Sequence, residues 1–240
     1  MTTPTTYLRG ADEVEPRRPS RRRTGFVVVA ATVIVAVVIT WLVAFSSVFG
    51  VRSVQVRGAH LLTAAEVRGA AQLDRGTPLV RVDTVAVGRR VEKLAEVASA
   101  QVSTSFPSTV VITITERQPV GYVQTSRRDV LVDRTGAQYR TVAAAPSGLP
   151  RFAVPVGASA RSTARAVAAV AAALPGAVRS EVRSIEALSP SSITLVLSRG
   201  RVVQWGSATR TADKARLLPV LLKRGSSQID LTDPDQPFTR

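Results

Sequence analysis

The sequence predicts an α+β protein with a single transmembrane helix, a β-α-α-β-β unit after it, and a C-terminal mixed β domain with flanking helices. Three observations predict this arrangement. A long run near the N-terminus has no charged residue, the next stretch passes from strand to helical periodicity and back, and the second half holds short alternating strands bounded by turn residues. A chain of 240 residues has room for two compact modules besides a membrane segment.

The transmembrane helix is predicted at residues 25–49, inside an uncharged run from Thr24 to Val51. At about 1.5 Å per residue, the apolar part of this run spans roughly 36 Å, and a hydrocarbon core is only about 30 Å thick. A cleaved signal peptide is the alternative, because Ala44 and Ser46 form a small-x-small pattern. The run is much longer than the apolar core of a signal peptide, so a retained anchor is favoured.

Cationic residues predict the direction of this helix. A cluster precedes it, and the first cation after it is Arg52; the cluster comprises Arg17, Arg18, Arg21, Arg22 and Arg23. Cations beside a span stay on the cytoplasmic side, so residues 1–24 are expected to be a cytoplasmic tail. The remainder of the chain is then extracytoplasmic, as in a single-pass type II membrane protein.

The β-α-α-β-β unit is predicted at residues 50–119. Val54 and Val56 alternate with polar neighbours, as in a half-buried strand. Thr63 and Glu66 have capping-box spacing at the start of one helix, and Asp83 is a good N-cap for the next.

Two further strands of this unit are separated by a turn at residues 106–108. The second of them, from Thr109 to Glu116, places Val110, Ile112 and Ile114 on one face. The expected product is a three-stranded sheet covered on one side by two helices.

The C-terminal β domain is predicted at residues 120–233, with a flexible tail at residues 234–240. Its strands and helices are bounded by turn residues such as Pro175-Gly176 and Gly225. Prolines are expected to keep the tail from pairing. The predicted elements are strands at Val130–Asp133, Leu149–Phe152, Val182–Leu188, Ile193–Leu197, Val202–Trp205 and Gln228–Leu231, and helices at Ser162–Leu174 and from Thr211 to Leu222.

Short motifs in the first module follow one another in a characteristic order. They are Val54-Gln55-Val56-Arg57-Gly58, Gly76-Thr77-Pro78-Leu79, Val82-Asp83, Phe106-Pro107-Ser108-Thr109-Val110 and Glu116-Arg117-Gln118-Pro119. This ordered set resembles the POTRA domain of the FtsQ/DivIB family of bacterial cell division proteins. The resemblance continues to about Asp233 through Gln204-Trp205-Gly206 and the helix that follows.

The resemblance implies a noncatalytic divisome protein at the division septum of the cell membrane. It implies FtsB as a direct partner, FtsL through FtsB, and a connection to the wall enzymes FtsW and FtsI. By position, the family's FtsB site corresponds to the last strand and the helix before it. The implied partner-binding residues are Gln228, Ile229, Asp230, Leu231, Thr232, Asp233, Lys214, Leu218 and Leu222. An extended partner segment could add as a strand at this sheet edge.

No constellation for catalysis, metal binding or cofactor binding stands out in the sequence. The chain has no cysteine and one histidine, His60, and it lacks the Ser-x-x-Lys and phosphate-loop motifs. The densest acidic cluster, formed by Asp230, Asp233 and Asp235, is expected to be solvated rather than an acid–base pair. No cofactor is therefore expected.

The net charge of +15 does not by itself indicate a nucleic-acid partner. All but three of the 32 cationic residues are arginines, and outside the N-terminal cluster they are scattered. Attraction to the anionic surface of the lipid bilayer is the simpler interpretation. The alternative function is a membrane-anchored envelope enzyme or modulator that acts on cell-wall precursors.

Overall fold

The computed structural model describes residues 21–45, 49–155, 157 and 159–239. Most of the predicted cytoplasmic tail lies outside these residues, as does Ser46 of the small-x-small pattern. Helix α1 covers Arg21–Phe45 and leaves apolar side chains such as Phe26 and Ile34 exposed. Within the described residues, no helix combines the length and the apolarity of a membrane span. The transmembrane helix therefore stays a prediction.

The first module has the predicted β-α-α-β-β order. Its sheet order is β1-β3-β2, with β1 parallel and β2 antiparallel to the central β3. Helices α2 and α3 bury Val67, Val87 and Val91 in the same core as the inward face of β3. The element bounds are β1 Ser53–Arg57, α2 Ala64–Ala71, a 3₁₀ turn Leu79–Arg81, α3 Thr84–Val91, β2 Val97–Ser105 and β3 Thr109–Glu116.

Both predicted helix caps are confirmed. The Thr63 hydroxyl accepts the Glu66 N–H at 3.2 Å, and the Glu66 carboxylate accepts the Thr63 N–H at 2.7 Å. The Asp83 carboxylate accepts the Ala86 N–H at 2.9 Å. These bonds satisfy N–H groups that have no partner inside the first helical turn, so each helix starts where its cap residue stands.

The second module is a continuous nine-stranded sheet in the order β12-β11-β10-β9-β8-β7-β4-β5-β6. Helices α4 and α6 pack on it, and their side chains share one core with Ile185, Leu195 and Trp205. The element bounds are β4 Pro119–Gln124, β5 Asp129–Asp133, β6 Gln138–Val142, β7 Arg151–Ala153, α4 Ala160–Ala173, α5 Gly176–Arg179, β8 Val182–Ser189, β9 Ser192–Leu197, β10 Val202–Gly206, α6 Thr211–Lys223, β11 Gln228–Asp230 and β12 Phe238–Thr239.

Four elements of this module were not predicted: β4, β6, α5 and β12. Strand β4 is hidden in the sequence because Pro119 and Gly121 interrupt its pattern. Gly121 is needed there, since a Cβ at this position would lie 2.2 Å from the Phe152 ring. Pro219 lies inside α6 without ending it, so the helix extends beyond the proline to Lys223.

An ion pair at Arg117 and Asp133 connects the two modules. The Arg117 backbone N–H donates to the Glu96 carbonyl at 2.7 Å, and its Nε donates to the Ala95 carbonyl at 3.0 Å, both in the first module. Its guanidinium is paired with the buried carboxylate of Asp133 on β5. Asp133 also accepts hydrogen bonds from the N–H and hydroxyl of Thr135. One arginine thus contacts both modules.

The Asp133 carboxyl is held in its charged form. Burial raises its pKa, but hydrogen bonds from Thr135, Arg117 and Ala137 outweigh burial and keep the pKa below its ordinary value. The folded state therefore binds this proton less tightly than the unfolded state does. The resulting stabilisation is complete above the ordinary carboxyl pKa of about 4 and is lost as the pH falls through the lower folded-state pKa.

We expect Asp133→Asn to lower the free energy of unfolding at pH 7 by about 2 kcal/mol, because the Arg117 guanidinium loses its charged partner. The loss should shrink as the pH falls below about 4, because the carboxyl of the unfolded parent becomes protonated there first, and it should be smallest below the lower folded-state pKa. Urea unfolding of the purified chain at several pH values measures both effects.

Asp129→Asn is the matched control, because Asp129 lies on the same strand and its carboxylate accepts a hydrogen bond from the backbone N–H of Ala145 at 2.8 Å rather than from an arginine. Equal effects of the two substitutions at pH 7 would contradict a stabilising role of the Arg117–Asp133 pair.

Candidate functional site

The predicted partner site lies at one end of the nine-stranded sheet. There β11 pairs in parallel with β10, with Val203 opposite Ile229, and antiparallel with β12. Helix α6 connects β10 to β11 across the buried face of the sheet. The site therefore consists of the outer strands, the solvent-facing side of the sheet and the segment that follows β11.

The nine predicted site residues differ in how far their side chains are exposed. Four side chains are buried and serve the core: Lys214, Leu218, Ile229 and Leu231. Leu222 is half-buried, and the remaining four are exposed: Gln228, Asp230, Thr232 and Asp233. A partner could reach only the exposed group and the edge of the backbone. Whether any of them binds a partner stays a prediction.

The backbone of β11 faces β10 at every second residue. The Val202 N–H donates to the Ser227 carbonyl at 2.9 Å, and the Leu231 N–H donates to the Gln204 carbonyl at 2.8 Å. Backbone groups alternate along a strand, so the N–H and C=O of Ile229 also face β10. Those of Gln228 and Asp230 face the opposite, outer side.

The sequence predicted that the outer side of β11 is open. The structure shows that it is covered. Phe238 and Thr239 form β12, with Phe238 opposite Asp230 and Thr239 opposite Ile229. The prediction that prolines keep the tail from pairing is wrong for these two residues. Pro234 and Pro237 lie outside β12, so no residue of β12 lacks a backbone N–H.

The acidic cluster after β11 turns the chain back toward this edge. The Asp230 carboxylate accepts the Thr232 N–H at 2.8 Å, and the Asp233 carboxylate accepts the Asp235 N–H at 3.0 Å. The Asp233 carbonyl also accepts the Gln236 N–H at 3.3 Å. Short acidic side chains commonly stabilise turns in this way. The carboxylates therefore shape the reversal.

Arg210 is a member of the site that sequence reasoning missed. Its Nη1 donates to Asp235 Oδ2 at 2.6 Å and its Nη2 donates to Oδ1 at 2.8 Å, which is a bidentate pair. The hydrogen bond from Arg210 lowers the pKa of Asp235, and the bond to Asp235 raises the pKa of Arg210. The only signal in the sequence was an arginine before α6 and an acidic tail, 25 residues apart.

A shallow hollow of about 220 Å³ lies on the solvent-facing side of these strands. Its lining residues are Val202, Gln204, Gln228, Ile229, Asp230 and Phe238. Phe238 is 56% exposed there, so its ring is only partly covered. An extended segment along this edge can thus combine backbone pairing with a side-chain contact in the hollow.

Lys214 is a buried residue of α6 that binds the backbone at the end of β10 and in the loop that follows. Its buried Nζ donates to the Trp205 carbonyl at 2.7 Å and to the Ser207 carbonyl at 3.2 Å, and it lies 6.0 Å from the Trp205 ring centroid. Burial lowers the pKa of this ammonium group, and the Arg210 charge lowers it further. Lys214 therefore holds the loop between β10 and α6, which carries Arg210.

Among residues 21–45, 49–155, 157 and 159–239, no group of three or more His, Cys, Asp or Glu side chains is arranged to hold a metal ion. The lone His60 lies in a loop whose backbone is bound to Glu116. The Glu116 carboxylate accepts N–H groups from His60, Leu61 and Leu62 at 2.8 to 3.0 Å.

Two family models match the chain. One is described as POTRA domain, FtsQ-type, and matches residues 49–117. The other is described as Cell division protein FtsQ/DivIB, C-terminal, and matches residues 121–232. These ranges correspond to the two modules of the structure.

The chain also resembles curated relatives over most of its length. It is 38% identical over 230 residues to the cell division protein FtsQ of Streptomyces bingchenggensis, covering 92% of this chain and 87% of the relative. It is 37% identical over 243 residues to FtsQ of Streptomyces coelicolor, a match that covers 93% of this chain and 92% of that relative. It is 36% identical over 233 residues to FtsQ of Mycobacterium tuberculosis, a match that covers 95% of this chain and 74% of that relative.

Among solved structures, the chain is similar to the major extracytoplasmic domain of DivIB from Geobacillus stearothermophilus in its trans isomer. The identity is 20% and the TM-score 0.35, and the match covers 44% of this chain and 91% of that one.

We expect Lys214→Met to lower the free energy of unfolding by about 2 kcal/mol, because the Trp205 and Ser207 carbonyls lose their buried donor. The difference from the parent should widen as the pH rises toward the ordinary lysine pKa of about 10.4. Because burial lowers the pKa of Lys214 in the folded state, the folded parent loses this proton at a lower pH than the unfolded chain does, so its stability rises with pH.

Lys223→Met makes the same chemical change at an exposed position of α6 and serves as the control. Urea unfolding curves at three pH values give the comparison. A Lys214→Met variant as stable as Lys223→Met would contradict the supporting role of Lys214.

Proposed function

The chain belongs to the FtsQ/DivIB family of bacterial cell division proteins, and from this membership we propose that it is a noncatalytic, bitopic scaffold of the divisome. In this role the POTRA module and the C-terminal β module lie outside the membrane and bind other division proteins. The observation that carries the proposal is the end of the nine-stranded sheet, where only the two-residue strand β12 covers the outer side of β11 and where an extended segment can add by backbone pairing.

The membrane anchor is part of the proposal. Helix α1 covers 25 residues, and apolar side chains are exposed at many of its positions, among them Val29, Ile34 and Val38. Apolar surface of this extent is unfavourable in water and favourable in lipid. Together with the arginine cluster that precedes it and forms its first turn, α1 supports a type II orientation.

The direct partner is FtsB, and it adds an extended segment at the outer edge of β11. The outward N–H and C=O groups of Gln228, which lies next to the two residues paired with β12, supply backbone hydrogen bonds for this segment. Binding of FtsB brings FtsL with it and connects the protein to FtsW and FtsI in septal wall synthesis. This wider role rests on family membership and not on a contact in the structure.

We expect Gln228→Pro to weaken binding of an extracytoplasmic FtsB segment at least about tenfold, because proline removes an outward N–H from the edge ladder. Gln228→Ala keeps that N–H and should bind as the parent does. Binding can be measured by fluorescence anisotropy with the FtsB segment encoded by the same genome, and thermal unfolding shows whether each variant is folded.

Ile229→Pro is a useful contrast, since its backbone faces β10 and its side chain is fully buried. It should unfold the module rather than report on the edge. Undiminished FtsB binding by a folded Gln228→Pro variant would refute strand addition at β11.

We also expect a fluorescent fusion to the N-terminus to form a band at midcell in dividing cells and to sediment with the membrane fraction after lysis. A fusion that lacks residues 1–49 should lose both properties, because the proposed anchor is gone. Uniform envelope fluorescence of the full chain would contradict a septal role.

A further inference from the structure

Two loops of the POTRA module hold the segment through which the chain leaves α1. The Val51 N–H donates to the Thr77 carbonyl at 2.9 Å in one loop, and the Arg52 N–H donates to the Ser108 carbonyl at 2.9 Å in the other. We call these two loops the exit loops; they comprise residues 76–81 and 105–108. The backbone bonds fix both exit loops beside the connection to the helix.

Both exit loops also lie close to the end of α1. The Phe49 and Phe106 rings are in edge-to-face contact, with centroids 6.3 Å apart. Cα atoms of α1 come within 8 Å of the 3₁₀ turn Leu79–Arg81. Phe49 follows Phe45, the last residue of α1, by four residues, which can span at most about 14 Å. When α1 crosses the bilayer, the exit loops therefore lie at its outer surface.

Each exit loop exposes a large apolar side chain at this place. Phe106 is 59% exposed and Val80 is 54% exposed. Exposed apolar surface is unfavourable in water, and aromatic rings are favoured at the boundary between lipid and water. The bilayer surface is also the one partner that the anchor keeps beside these loops at all times, so a weak contact suffices to hold it.

The charges around the exit loops agree with a lipid surface. Neither loop contains an acidic residue, and Arg52 and Arg81 beside them are exposed. Asp74 and Asp83 flank the first loop, and the Asp83 carboxylate caps α3. Long arginine side chains can place their guanidinium groups among lipid headgroups. The apolar side chains supply most of the attraction, and the arginines add to it where the headgroups are anionic.

Strand β3 runs from the exit loops toward the second module. Thr109 follows the second exit loop and is paired with Ser53, just after the connection to α1. Glu116, at the other end of β3, is about 23 Å away at about 3.3 Å per residue. The next residue, Arg117, forms the ion pair with Asp133 of the second module. The second module is therefore attached at the end of β3 that is remote from the exit loops.

We propose that the side chains of Phe106 and Val80 insert into the headgroup region of the outer leaflet, so that the POTRA module lies on the bilayer and β3 leads away from it. This inference rests on the membrane anchor of the proposed function. A single span with a short connection leaves a module free to tilt. A second lipid contact beside the exit point restricts that tilt and holds the second module at a defined distance from the membrane.

Fluorescent labels at single cysteines test this contact, because the chain has no cysteine of its own. The full-length variants Val80→Cys and Ser105→Cys each carry an environment-sensitive dye and are incorporated into vesicles of phosphatidylcholine and phosphatidylglycerol. Ser105→Cys keeps the Phe106 ring in place. A nitroxide attached to the lipid headgroups should quench both labels, because both lie at the lipid surface.

Leu61→Cys is the matched control, because Leu61 is also an exposed aliphatic residue of the POTRA module, at 49%. Its N–H donates to Glu116 Oε1 at 2.8 Å, so it lies at the far end of β3. A label at this position should keep its fluorescence in the same vesicles. Thermal unfolding shows whether each labelled variant is folded.

Removal of the aromatic ring should weaken the contact. In the labelled Ser105→Cys chain, we expect Phe106→Ser to shift the equilibrium between the lipid-bound and free positions of the module about tenfold toward the free position. Most of the quenching should then be lost. Leu61→Ser removes an apolar side chain at the far end of β3 and should leave the quenching unchanged.

The outcomes separate this inference from the proposed anchor. If alkaline carbonate releases the chain from the vesicles, the anchor fails and the inference fails with it. If the chain is retained but the Val80→Cys and Ser105→Cys labels are quenched no more than the Leu61→Cys label, the POTRA module does not contact lipid although the anchor stands. If Phe106→Ser abolishes the midcell band but leaves the quenching unchanged, the exit loops serve a protein partner and the lipid contact is refuted.

Discussion

The C-terminal module depends on one constraint, which is that the backbone hydrogen-bonding groups of every sheet strand need partners. Seven of the nine strands contribute buried side chains to the core under α4 and α6. Strand β11 is held by β10 on one side only, and the chain covers its other side with two residues from its own C-terminus. Paired backbone groups are required wherever a sheet meets its core, whereas an outer edge can exchange one neighbour for another. The same constraint therefore explains why the chain covers the outer side of β11 with its own residues.

The charged residues near this edge are used for position rather than chemistry. Lys214 fixes the loop between β10 and α6 from inside, and that loop presents Arg210 at the surface. Arg210 then reaches Asp235, while Asp230 and Asp233 form the turns that bring Asp235 within range. In the same module, Asp133 on β5 forms an ion pair with Arg117, which also binds backbone carbonyls of the first module. These charged side chains therefore fix the positions of loops and turns within the chain.

Much of the fold could be predicted from the sequence because its signals are local. The caps at Thr63 and Asp83, the alternation in β3 and the helical pattern of α6 each involve residues within a few positions of one another, and the structure contains all of them. Strand β4 could not be predicted because its glycine is explained only by the Phe152 ring, which comes from a distant strand. Strand β12 could not be predicted because its pairing depends on turns built by the carboxylates of Asp230 and Asp233 and on the distant Arg210 that binds Asp235.

For the candidate site, the sequence by itself determined the chain segments involved: a basic cluster and apolar run, the ordered motifs of the family, and a short strand followed by acidic residues and prolines. Tertiary structure alone decided which of those residues a partner can reach. Lys214, Leu218, Ile229 and Leu231 belong to the core, while Arg210 and Phe238 complete the edge. The reason is physical. Periodicity and capping are set by neighbours along the chain, whereas burial, ion pairing and strand order are set by which distant segments the folded core brings together.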